Sequence, residues 1–180
     1  MRTIEPIARM DLAFSLFCLG HRFNAQVALV SRWVSRTGDG HLYLLLGLAV
    51  WWLDEPVGKL FFAAALLAFA IELPIYWLAK NSFKRRRPEE FSHQLQAFIT
   101  PSDRYSLPSG HTAAAFLMAT IISQFYPQWH EVALLWAILI GTSRILLGVH
   151  FLTDVVIGAV LGMSSAYLAL DYVQRWLGGY

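Results

Sequence analysis

The sequence is short of charge. Asp, Glu, Lys and Arg make up 14% of its 180 residues, where a soluble domain carries about a quarter. Hydrophobic residues reach 57%, which excludes a disordered chain and an ordinary water-soluble globule alike. The solvent that suits this composition is lipid. Cysteine is nearly absent. With Cys18 alone, an internal disulfide is excluded, and one thiol says nothing of the redox compartment. There is no internal repeat and no low-complexity tract, and the length fits a single domain over 1–180. The formal charge of +2 and pI of about 8.8 say little about partners by themselves, and no nucleic-acid partner is expected. The opening MRTIEPIARMDLAFSLFCLG is interrupted by Glu5, Pro6 and Asp11. It shows no small-residue cleavage site and does not read as a cleaved signal.

What is present is a set of closely spaced apolar segments: Leu42–Leu53, Val57–Ala79, His111–Tyr126, Val132–Val149 and Phe151–Leu177. A helix crosses a hydrocarbon core of roughly 30 Å with about 20 residues. The second and fifth segments reach that length, the third and fourth need their flanks, and the first is short. With so little linker between them, the segments predict an all-α polytopic membrane bundle over 41–177. Gly158 and Gly162 form a G-x-x-x-G stripe continued by Ser164, Ser165 and Ala166, a pattern that lets membrane helices approach closely. Trp51, Trp52, Trp129 and Trp176 suit an aromatic belt at one membrane surface.

Residues 1–40 read as interfacial helices ending in a turn. Val27, Val30 and Val34 recur at helical spacing, with Ser31, Arg32, Ser35 and Arg36 on the other side, so amphipathic helices lying in the interface are expected. A sixth, broken span from Leu12 to Val34 is the alternative, and His21, Arg22 and Asn24 argue against it. Thr37-Gly38-Asp39-Gly40 is a turn to which the sequence assigns no role. The one sizeable hydrophilic stretch is Glu89–Pro108. Phe91, Leu95 and Phe98 stand at helical spacing within it, which suits either a short surface helix or a plain loop.

Threading five spans in alternating directions brings the end of the second, the start of the third and the junction of the fourth and fifth to one membrane face. Lys80, Arg87, His111, Arg144, His150 and Asp154 therefore converge, although they are far apart in sequence. Ionisable residues in membrane segments are usually functional. These cluster at span ends, where a transporter would more often place them near the midplane. Glu72, two residues before the kinking Pro74, is the midplane exception. It marks a polar cavity or hydrogen-bonds a neighbouring helix.

Three motifs carry the chemistry. In Lys80-N-S-F-K-R-R-Arg87-Pro88, the basic run is either an anchor to anionic headgroups or a clamp for phosphate oxygens. In Pro108-Ser109-Gly110-His111, Ser109 can cap a helix. The same helix start can also present bare N–H groups to an anion, with the titratable His111 beside it. In Ser143-Arg144-x5-His150-x3-Asp154, the last two residues share a helix face. A carboxylate that holds one imidazole nitrogen leaves the other free as nucleophile or base. Together the motifs supply anion binders, a general acid and an oriented nucleophile, which are the parts that phosphoryl transfer uses. No group of carboxylates or cysteines has metal-ligand spacing, so no metal or cofactor is expected. The positive charge falls to Lys80, Arg87 and Arg144.

K-x6-R-P, P-S-G-H and S-R-x5-H-x3-D together resemble the three-part signature of the type 2 phosphatidic acid phosphatase superfamily, with every defined position filled between residues 80 and 154. The resemblance implies metal-independent hydrolysis through a phosphohistidine. In its terms His150 attacks phosphorus, Asp154 orients it, and His111 protonates the leaving oxygen and then activates water. Lys80, Arg87, Arg144, Ser109 and Gly110 bind the phosphate. Spacing alone makes His150 the better nucleophile, and the resemblance decides between the two histidines. It also implies six spans, where five plus interfacial helices are counted here.

The implied substrate is a membrane lipid phosphate or diphosphate: phosphatidic acid, phosphatidylglycerol phosphate or undecaprenyl diphosphate. The alternatives are a lipid phosphotransferase working through the same phosphohistidine, and a transporter. The resemblance favours the periplasmic face of a bacterial inner membrane. Against that, Lys59 and Arg175 are the only basic residues that the five-span threading puts at the far face, and the positive-inside rule would then make the active face cytoplasmic. Nothing in the sequence sets the oligomeric state.

Overall fold

In a computed structural model, residues 5–20, 24–55, 57–92 and 94–176 are described. The expectations resting on Arg2, His21, Arg22 and Leu177, and on the Trp176 side chain, lie outside what is described. The elements are α1 (Glu5–Leu19), α2 (Asn24–Arg36), α3 (Gly40–Leu53), α4 (Val57–Phe83), α5 (Pro88–Phe91), α6 (Gly110–Phe125), a 3-10 turn at Pro127–Trp129, α7 (His130–Leu146) and α8 (Leu152–Trp176). No strand occurs among the described residues.

Each of the five apolar segments is helical. Three stretches are long and apolar enough to cross a membrane: Val57–Phe91, Pro127–Leu146 and Leu152–Arg175. Helices α3 and α6, of 14 and 16 residues, measure about 21 and 24 Å. By length they fall short of a full crossing. The stretch from Leu12 to Val34 is divided between two helices, α1 and α2, which is compatible with a broken sixth span as well as with two interfacial helices.

Helix α6 sits at the centre, packed against α4, α7 and α8. Its small residues explain the closeness: Ala113 and Ala115 are buried, and Leu117, Met118 and Ile121 fill the space beyond them. The glycine stripe of α8 meets this helix. A Cβ on Gly158 would collide with the carbonyl of Ser109, and one on Gly162 with that of Ala113. The matched register also shows that α6 and α8 run parallel. The stripe is a packing device, as small residues at membrane helix interfaces usually are.

Helix α2 is amphipathic at the expected period, with its larger apolar side chains facing outward as in a helix lying in the interface. Ala28, Ser31 and Ser35 are buried, against α7, while Leu29, Val30 and Trp33 are exposed. Helix α1 follows the same rule, with Asp11 and Ser15 inside and Ile7, Met10 and Phe17 outside. Where the solvent is lipid, apolar side chains gain little by turning inward, and small polar faces make the helix contacts. Downstream, the helix starting at Pro88 ends at Phe91. Beyond it the chain is a loop whose Phe98 N–H bonds the Leu147 carbonyl at 3.0 Å, with Leu95 buried beneath.

Candidate active site

The basic run after α4 divides by direction. Lys84 takes φ +47 and ends the helix. The extended chain that follows alternates its side chains, so Arg85 and Arg87 turn inward while Lys84 and Arg86 stay exposed. Lys80, one turn before, is also buried. Its Nζ donates to Asp103 Oδ2 and to the Tyr76 hydroxyl, both at 2.6 Å. Arg87 donates to Asp103 Oδ1 at 2.5 Å, to the Tyr105 carbonyl at 3.1 Å and to the Val149 carbonyl at 2.6 Å. Lys80 and Arg87 thus converge on one carboxylate. Burial alone would raise the Asp103 pKa, but hydrogen bonds from Lys80 and Tyr76, with the charges of Lys80 and Arg87, hold it below the usual range.

Ser109 precedes α6 but does not cap it. Its hydroxyl accepts from the Thr112 hydroxyl at 2.9 Å, and its N–H bonds the Asp154 carbonyl at 3.0 Å. The hydroxyl that would cap the helix faces the Thr112 side chain of its own first turn instead of a backbone N–H. The stitch between Ser109 and Asp154 fixes the start of α6 beside the start of α8. Gly110 packs on the Tyr76 ring. His111, half-buried, places Nε2 3.0 Å from Asp39 Oδ1. The turn left without a role therefore presents a carboxylate to this histidine.

Arg144, in the last turn of α7, is buried. Its Nη1 donates to the Ser35 hydroxyl at 2.6 Å, while its Nε has no hydrogen-bond partner among the described residues.

His150 belongs to a turn, not to the face of a helix. Gly148 carries φ +71, a left-handed conformation natural to glycine, and the turn delivers His150 just before α8 begins. Its Nδ1 faces Asp154 Oδ2 at 3.7 Å, beyond hydrogen-bond length, and has no hydrogen-bond partner among the described residues. The Asp154 carboxylate accepts instead from the Phe151 N–H at 2.8 Å and from Arg85 at 2.6 Å. Arg85 in turn pairs with the buried Asp11 of α1 at 2.6 Å, and Asp11 also accepts from the Thr153 N–H and hydroxyl. Burial pushes the His150 pKa down to about 4, helped by the Arg144 and Arg87 charges and opposed by Asp154. The imidazole is therefore neutral at neutral pH.

All eight predicted site residues occupy one end of the bundle. Sequence reasoning missed Asp39, Asp103, Arg85 and Asp11, the groups that hold them. Two cavities meet at His111, Asp39 and Ser102. A basic one of about 470 Å³ is lined by Arg32, Arg36 and Arg144. The other, of about 440 Å³, runs between α3, α4 and α6 past Glu72. Glu72 does line a cavity. No group of three or more His, Cys, Asp or Glu suited to a metal ion occurs among the described residues.

A family model described as the PAP2 superfamily matches residues 56–177. The chain is 30% identical over 145 residues to a Bacillus licheniformis protein named bacitracin transport permease protein BcrC, covering 77% of this chain and 71% of that one. It is 28% identical over 149 residues to a probable lipid phosphate phosphatase beta of Arabidopsis thaliana, covering 67% and 69%. Among solved structures, LpxE of Aquifex aeolicus superposes with a TM-score of 0.80 at 26% identity, over 89% of this chain and 94% of that one.

Proposed function

The chain belongs to the PAP2 superfamily, and from that premise we propose that it dephosphorylates a membrane lipid through a phosphohistidine formed on His150. It is an integral membrane protein and a phosphoric ester hydrolase of that family. The observation that carries the mechanism is the meeting of Lys80, Arg87, Arg144, His111 and His150 at one end of the bundle, with the first four held by named partners and His150 facing Asp154.

In this reading the substrate phosphate lies against Lys80, Arg87 and Arg144, with the Ser109 hydroxyl and Gly110 N–H beside it. The convergence of Lys80 and Arg87 on the Asp103 carboxylate supports this, because planar two-oxygen anions and phosphates ask for the same donors. The unpartnered Arg144 Nε supplies a further buried donor. His150 keeps its proton on Nδ1, facing Asp154, and attacks phosphorus through Nε2. The bond from phosphorus to the lipid oxygen breaks, and His111 gives that oxygen a proton. A water then attacks phosphorus and yields its proton to His111 as the bond from phosphorus to His150 Nε2 breaks. Phosphate leaves, and both histidines return to their starting forms. The cations neutralise the developing charge, so the route needs no metal.

The name of the Arabidopsis relative supports a lipid phosphate as substrate, and phosphatidic acid, phosphatidylglycerol phosphate and undecaprenyl diphosphate are the candidates. A phosphotransferase would pass the same phosphoryl group to an acceptor other than water. We place the site at the periplasmic face of a bacterial inner membrane. The excess of basic charge at that end is smaller than the sequence suggests, because Lys80, Arg85 and Arg87 pair with Asp103, Asp11 and Asp154.

The test is phosphate release by detergent-purified protein in EDTA. Hydrolysis that survives the chelator and is absent in His150→Ala supports the reading. Release that persists in His150→Ala contradicts it.

A further inference from the structure

We infer that Tyr43 and Glu72 form a polar subsite one helical turn below the phosphate site, which hydrogen-bonds the linkage between the lipid's headgroup and its hydrocarbon. The inference rests on the lipid phosphatase reading and says which part of the lipid the protein reads.

The cavity between α3, α4 and α6 begins at Gly110 and His111, so it continues the site on the side where the leaving oxygen departs. Leu44, Leu66 and Leu73 line it and are 49%, 48% and 57% exposed. They form its mouth, which opens sideways between α3 and α4 toward hydrocarbon. A lipid chain can therefore enter without crossing water.

Two polar groups interrupt these apolar walls. Glu72 is 2% exposed, and no hydrogen bond or ion pair holds it among the described residues. The Tyr43 hydroxyl is buried and equally unpartnered. Buried polar atoms are seldom left so, and each such group calls for an explanation. Both residues line one cavity, from facing helices, and the ester carbonyls of a ligand there can accept from the Tyr43 hydroxyl and from Glu72 in its neutral carboxylic acid form.

Their depth is set by register. Tyr43 follows Asp39 by four residues, and Asp39 holds His111. Glu72 precedes Tyr76 by four, and Tyr76 packs on Gly110. Helices α3 and α4 are antiparallel, since Gly47 meets Phe62 while Gly58 meets Val50. Both groups therefore lie about 6 Å beneath the site. An acylglycerol phosphate carries its ester carbonyls a few bonds from phosphorus, at that level. A prenyl diphosphate has only hydrocarbon there and would leave both polar groups unmatched, which a polar site penalises.

The experiment compares diacyl phosphatidic acid with its di-O-alkyl ether analogue, which has the same chains and lacks the carbonyls, in mixed micelles of one detergent. Wild-type protein should favour the ester in kcat/KM by roughly tenfold, the worth of one good hydrogen bond. Tyr43→Phe and Glu72→Leu should bring that ratio to about one, while Glu72→Gln, which still donates and accepts, should retain it. Tyr43→Phe removes a single oxygen and leaves the ring on Phe69, so it reads the subsite even if Glu72→Leu fails to fold. A wild-type ratio near one, or a ratio that persists in Tyr43→Phe, overturns the subsite and leaves the phosphatase standing. No turnover of either lipid while undecaprenyl diphosphate is hydrolysed overturns the subsite alone, and no turnover of any candidate lipid overturns both.

Discussion

Asp39 and His111, 72 positions apart in sequence, meet with Oδ1 3.0 Å from Nε2. This contact turns a glycine-flanked loop into part of the site. A carboxylate on one imidazole nitrogen fixes the ring's tautomer and stabilises the protonated form. In the proposed reaction, that is the form that protonates the leaving oxygen.

Asp39→Asn should therefore hurt most where the leaving group most needs a proton. We expect kcat on a lipid phosphate to fall roughly tenfold, and the deeper variant His111→Ala to lose about 10²–10⁴-fold. With p-nitrophenyl phosphate, whose leaving group departs without protonation, the Asp39→Asn loss should nearly vanish. Equal losses on both substrates would reduce Asp39 to a structural role.

Arg85 stands between two fully buried carboxylates, Asp11 and Asp154. Arg85→Ala leaves both without their cation, and removing one member of a buried ionic set typically costs about 3–5 kcal/mol. Thermal unfolding in detergent should show a large drop. Asp11→Asn, which keeps a carbonyl oxygen for the Thr153 N–H, should show a smaller one. An Arg85→Ala protein as stable as wild type would mean the network does not hold α1 to the bundle.

His150 also makes stability depend on pH. Its folded pKa of about 4 lies below the ordinary histidine value of 6.5. Between those values the unfolded chain binds a proton that the folded protein refuses, so stability rises with pH across that window and falls on acidification. Denaturation followed from pH 7 to pH 4 should show this slope, and His150→Gln should flatten it. An unchanged slope would assign the effect to other groups.

The chemistry of the site was legible because it is local. The three motifs name Lys80, Arg87, Ser109, Gly110, His111, Arg144, His150 and Asp154, and the alternation of apolar segments is enough to bring them to one end. The groups that hold them were not legible. Asp103 sits in a loop with no periodicity, and Asp39 in a turn whose partner is fixed only by α6 packing. Asp11 reads in sequence as an interruption of an apolar stretch. The His150–Asp154 spacing suggests a helix face, yet Gly148 places His150 in a turn, and its carboxylate partner is already occupied by Arg85 and the Phe151 N–H.

The central claim is the covalent intermediate on His150. Rapid acid-free quenching of the protein with radiolabelled lipid phosphate, followed by peptide mapping, tests it directly. Label is expected on the peptide that contains His150, stable in alkali and lost in acid, and absent from His150→Ala. Phosphate release with no label trapped at any quench time, or label carried by His150→Ala, would contradict it.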